Sequence, residues 1–105
     1  MKEDPIQNLD GIDVLGKRKD GGVDLVIIIS SELEDTDNHR SLFMQKLQNY
    51  VNEMRSVEFI SEFGETNLRI IAKVSVEPNA GIMELFQKSK IYLETLNIDF
   101  IYESV

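Results

Sequence analysis

The chain has 105 residues, length for one domain, and at 42% hydrophobic and 29% charged residues it falls in the globular range, not the disordered one. It has no cysteine, which excludes disulfides, thiolate metal sites and cysteine nucleophiles. Eleven Lys and Arg against 19 Asp and Glu give a net charge of −8, which disfavours binding to nucleic-acid phosphates and anionic lipid and suits a cationic protein partner.

Residues 1–10 are polar, with Pro5, Asn8 and Asp10, and read as a loosely held arm. They lack the basic-then-apolar pattern of a signal peptide. The longest apolar run, residues 25–29, is far short of the roughly 20 residues that span a bilayer. The expected location is therefore the cytoplasm, without membrane contact. Residues 12–16 form a short strand, and Asp20-Gly21-Gly22 supplies turn chemistry. Residues 23–30 are β-branched and should pair back on the first strand as a hairpin. An acidic connection follows.

From Asn38 the period becomes helical: Phe43, Leu47, Tyr50, Val51 and Met54 make one apolar stripe, with Thr36 or Asp37 as the N-cap. Residues 56–67 show no period and should fold over part of the core. Residues 68–76 alternate as a strand. A second helix covers residues 82–96 with Ile82, Leu85, Phe86, Tyr92 or Leu93, and Leu96 inward; Asn97 stops it in the left-handed conformation. Residues 98–102 are the last strand.

The order β-β-α-β-α-β predicts an α+β two-layer sandwich, a four-stranded mixed sheet with two helices on one face. The preferred strand order is sequential with the first strand antiparallel; a permuted order is the alternative.

Candidate chemistry is sparse. His39 is the lone histidine, at the start of the first helix, and suits pairing with a nearby carboxylate better than catalysis without partners. Glu32, Glu34, Asp35 and Asp37 offer hard oxygen ligands, but the run lacks the glycine of a calcium loop and reads as a solvated segment at the positive end of the helix. Asp13 and Asp24 lie on adjacent strands, where a paired-carboxylate site competes with two polar residues on the outer face of a hairpin. Lys17-Arg18-Lys19 is the one basic cluster and lacks neighbouring aromatics, so nucleic-acid binding is not expected. No glycine-rich phosphate fingerprint opens a helix, and no cofactor or metal is called for.

His39, Phe43, Lys46 and Tyr50 share one edge of the first helix. His39, Lys46 and Tyr50 read either as a polar recognition edge or as ordinary border residues, a buried tyrosine hydroxyl beside a lysine that snorkels to solvent. Ile71 and Ile101 fall out of phase with the core residues of their strands, onto the helix-free face, with Arg69 and Lys73 beside them. That face is covered either by the chain itself, through Phe59, Ile60 and Phe63 or the N-terminal arm, or by a second copy in a homodimer.

Ile12-Asp13, Asp20-Gly21, the apolar run to Ile29-Ser30, and His39 followed by Leu42, Lys46 and Tyr50 together resemble a family of small bacterial proteins, the domain-of-unknown-function family 6572. The resemblance continues through residues 68–76, Pro78 and the last helix and strand. The chain departs from the family pattern at Ser31, where an acidic residue is usual, and at Glu34, where Trp is frequent. The resemblance implies the fold layout and a bacterial source and transfers no activity. The functional expectation is a non-catalytic protein-interaction domain, an acidic partner or immunity-type inhibitor of a basic protein. The alternative is a small-ligand binder or enzyme with its site near the start of the first helix.

Overall fold

The computed structural model describes residues 12–104, so the expected N-terminal arm lies outside the described residues. The first hairpin joins strand β1 (Val14–Lys17) to β2 (Val23–Ile29) in antiparallel register, Val14 opposite Val26 and Lys17 opposite Val23. Its turn closes as the residue types dictate. Gly21 has φ +90°, and the Asp20 carboxylate accepts the Gly22 N–H at 2.8 Å.

Helix α1 (Asp37–Met54) is capped by Thr36, whose hydroxyl accepts from the His39 amide at 3.2 Å. All five residues of its expected apolar stripe are buried. The segment expected to lack a period holds a third helix, α2 (Val57–Phe63). Ser56 caps it, accepting from the Phe59 amide, and Gly64 ends it at φ +81°. Seven residues are two turns, too short for a periodic signature. The element order is therefore β-β-α-α-β-α-β, with three helices among the described residues instead of two.

β3 (Leu68–Val74) stops two residues short of its expected end, and Val76 is exposed. Asn79 caps α3 (Ala80–Glu94), accepting from the Ile82 amide at 2.9 Å, so the helix begins two residues early. Of the alternatives Tyr92 and Leu93, Leu93 is buried and Tyr92 exposed. Asn97 takes φ +60°, and β4 (Ile98–Ser104) completes a four-stranded mixed sheet in the order β1-β2-β3-β4. β3 runs parallel to both β2 and β4.

The core gathers Leu25, Ile27, Ile70, Ala72 and Phe100 of the sheet with Phe43, Leu47, Ile82, Phe86 and Leu93 of the helices. Phe100 meets Phe43 at 6.3 Å and Phe86 at 5.9 Å between ring centroids, so one side of β4 packs against both long helices. Phe59 lies in this same cluster and Phe63 packs against it. They therefore do not screen the opposite face of the sheet, as one reading of the sequence supposed.

Candidate functional site

Three groups of residues are candidates for function. The first is buried at the junction of β1, β2 and α1. Lys46 has no exposed surface, and its Nζ lies 2.8 Å from Asp13 Oδ1. Asp13 Oδ2 accepts the Ile28 amide at 3.0 Å. The Tyr50 hydroxyl accepts the Asp13 amide at 2.9 Å and donates to the Val26 carbonyl at 2.7 Å. The Lys46 ammonium also stands 5.6 Å from the centre of the Tyr50 ring. A carboxylate and a phenol thus take over from the β1–β2 ladder where β1 begins, meeting backbone groups that a longer strand would have paired. Burial pushes the Tyr50 hydroxyl well above the ordinary tyrosine range, with the Asp13 charge adding to it, so the phenol remains a donor at neutral pH.

This geometry corrects two expectations. Lys46 does not snorkel to solvent; a buried carboxylate holds it inside. Asp13 is not on an outer hairpin face, and it does not pair with Asp24. It turns to α1, whereas Asp24 takes both bonds of the Arg69 fork, at 2.9 and 2.8 Å, and one from Arg18. The Arg69 hydrogen bond holds the Asp24 carboxyl below its ordinary value, with Arg18 adding to the effect. Arg18 also donates to the Asn67 carbonyl at 2.8 Å. The middle residue of the one basic cluster is therefore engaged inside the chain, while Lys17 and Lys19 stay exposed.

The second group stands at the carboxyl ends of β2 and β3, where open α/β sheets commonly bind ligands. His39 lies here, apart from the work of Lys46 and Tyr50. Its Nδ1 accepts the Glu34 amide at 2.8 Å, which fixes the loop before α1 and places the ring proton on Nε2. Of the three residues on the candidate edge, the structure joins Lys46 and Tyr50 through Asp13 and gives His39 a separate, loop-holding bond. Asp35 pairs with Arg40, and Arg40 reaches the Gly81 carbonyl at 3.3 Å. Asn79 donates to the Leu33 carbonyl at 3.2 Å. A Cβ at Gly81 would stand 2.0 Å from Asp35 Oδ2, so this carboxylate fills the space that a side chain there would need. The starts of the two long helices are stitched together by their own loops.

The third group is the helix-free face. Val14, Val26, Ile71 and Ile101 stand in register across all four strands. Val26 and Ile71 are only 7% and 5% exposed, Ile101 is half-buried, and Val14 is 45% exposed. The middle of this row is already out of water in a single chain. Among the described residues no three His, Asp or Glu side chains group as a metal site, and no helix is long and apolar enough to cross a membrane.

The chain matches the Family of unknown function (DUF6572) over residues 5–105. It belongs to this family. No curated protein and no solved structure matches the chain. Sequence reasoning found Lys46 and Tyr50 but missed the role of Asp13. The available signal was an acidic residue beside the first strand, combined with a lysine on the inward border of a helical stripe. Such a lysine needs a carboxylate if it does not reach solvent.

Proposed function

We propose that this member of the family is a non-catalytic protein-interaction domain, working in the bacterial cytoplasm as the acidic partner of a basic protein, in the manner of an immunity-type inhibitor. One observation carries the reading. The cluster with the most catalytic character, Asp13 with Lys46 and Tyr50, is spent on backbone amides, a backbone carbonyl and its own ion pair. A general acid or base needs a face turned to substrate, and these bonds are turned to the fold. The chemistry left for recognition is on the surface, which carries the net charge of −8. Complementary charge speeds encounter with a basic partner.

The test is capture from bacterial lysate on the immobilised chain. The expected result is a basic protein retained at about 0.05 M salt and released by about 0.5 M, as exposed charges are screened. Specific retention of nothing at low salt would refute the reading. The apolar row of the helix-free face favours self-association as a second reading, a homodimer resting on Val14 and Ile101, the members that keep exposure. Sedimentation at micromolar concentration tests it, and a strict monomer refutes it.

A further inference from the structure

We propose that the open edge of β4 takes up an extended segment of a partner protein as a fifth strand, one in which apolar residues alternate with Lys or Arg. This deepens the interaction reading above and rests on it.

β4 is the outermost strand, paired with β3 along all seven of its residues. Among the described residues no strand lies along its other side. It contains neither proline nor glycine, and β1, the other edge, has only four residues. The Phe100 carbonyl is reached from that open side by Lys90 Nζ at 3.4 Å. Peptide groups alternate along a strand, so those of Ile98, Phe100, Tyr102 and Ser104 point outward with it. These are the groups that an added strand would pair.

The two sides of the edge differ in kind. Toward the helices, a cleft of about 250 Å³ runs between α3 and β4, lined by Met83, Phe86, Gln87, Lys90, Phe100 and Tyr102 among others. Every second side chain of an added strand would enter it, and its walls call for apolar ones. On the far side β4 presents Asp99 and Glu103, both exposed, on either side of Ile101, with Arg69 and Lys73 of β3 opposite them on the inner flank and, among the described residues, no register partner on the open one. The intervening side chains of the added strand would stand opposite these carboxylates, and lysine or arginine is their complement.

The same charges argue against a second copy as occupant. Antiparallel pairing of residues 98–104 about Ile101 would set Asp99 against Glu103 of the other copy twice, and like charges directly opposite are destabilising. Lys90 guards the edge in the free chain, as lysines at sheet edges do. Its Nζ lies 3.8 Å from Glu94 Oε1, so it has a place to go when a strand takes the Phe100 carbonyl.

The probe is a peptide of alternating lysine and valine, titrated into the isotope-labelled full chain and followed by amide shifts and amide exchange. Expected are shifts confined to β4 and to Met83, Gln87 and Lys90, with slowed exchange of the Phe100 and Tyr102 amides. Replacing two of the valines by proline, which keeps the charge and removes strand pairing, should weaken binding about tenfold. The double variant Asp99→Lys, Glu103→Lys should weaken it about tenfold as well, since two attractive cross-strand pairs become repulsive. Both positions are exposed, but they stand opposite Arg69 and Lys73 of β3, so the neutral double variant Asp99→Asn, Glu103→Gln, which adds no like-charge pair, is measured beside the charge reversal and should weaken binding in the same direction. Equal affinity of the proline peptide, or an unchanged affinity of the charge-reversed variant, would overturn the proposal. So would shifts located elsewhere. A lysate partner whose capture survives the charge reversal overturns the edge and leaves the interaction reading standing. Peptide uptake at β4 with no partner captured supports the edge and overturns that reading.

Discussion

Replacing Asp13 by Ala tests whether the buried ion pair is a fixture of the fold. The substitution removes the Asp13 carboxylate 2.8 Å from the fully buried Lys46 ammonium and, with it, the acceptor of the Ile28 amide. Breaking a buried pair from one side costs about 3–5 kcal/mol. Against a total stability of about 5–15 kcal/mol for a domain, that brings the chain close to unfolding at 37 °C. Lys46→Met removes the other partner and strands the Asp13 charge, at about the same cost. Were the two effects independent, the double variant would lose about 6–10 kcal/mol. With both charges gone, the remaining loss is the unpaired Ile28 amide and imperfect packing, about 2–4 kcal/mol. The expected coupling in the cycle is therefore at least ~2 kcal/mol. Urea denaturation followed by circular dichroism, with the slope held common, measures all four proteins. A loss below about 1 kcal/mol for Asp13→Ala, or a double variant as unstable as the sum of the singles, would refute a structural role for the pair.

Phe86→Ala and Phe100→Ala should each cost about 3–5 kcal/mol in the same assay, since both rings are buried at the meeting of α3, β4 and α1. Ile71→Asp should destabilise severely and Ile101→Asp little, because Ile71 is 5% exposed and Ile101 half-buried; equal urea midpoints for the two would contradict this burial. Asn97, at φ +60°, should accept Gly at little cost and lose about 1 kcal/mol on replacement by Ala, read as a shift in melting temperature. Stability should decline at both ends of the pH scale. The depressed Asp24 carboxyl contributes above its ordinary value of 3.8 and loses that contribution as pH falls through its folded value, and Asp24→Asn should shrink the acid limb. The raised Tyr50 hydroxyl contributes fully below 10.0 and loses its contribution as pH rises beyond that, and Tyr50→Phe should flatten the alkaline limb.

The elements with a strong period were readable from the chain, and those held by side-chain bonds were not. Phe43, Leu47, Tyr50, Val51 and Met54 announce α1 because eighteen residues give the stripe time to repeat. Asp20-Gly21 announces the first turn because only a few residue types accept its backbone. α2 stayed hidden because Ser56, its cap, and Gly64, its stop, enclose only two turns, and its buried residue, Phe59, is a single one. Asp13 stayed hidden for a different reason. Its partners are a lysine 33 residues away, a tyrosine hydroxyl and the Ile28 amide, contacts that periodicity cannot express. An alternating pattern marks a polar residue as outward-facing unless something inside the fold requires a charge there.

The two edges of the sheet are treated in opposite ways, and that asymmetry joins the structural cluster to the proposed surface. β1 is short, and side chains end it: Asp13 and Tyr50 take the backbone groups of Val26 and Ile28 that a longer strand would have used. At its far end, Lys17 lies 5.1 Å from the centre of the Phe63 ring. The side-chain bonds that end β1 shorten this edge, as natural sheets do to prevent unwanted pairing. β4 has the same need over nearly twice the length and is given one lysine that can turn away to Glu94, plus two carboxylates. Carboxylates repel an acidic strand, including this chain's own, and attract a basic one. A protection that works by the sign of the charge, unlike one that removes the backbone groups, selects among partners.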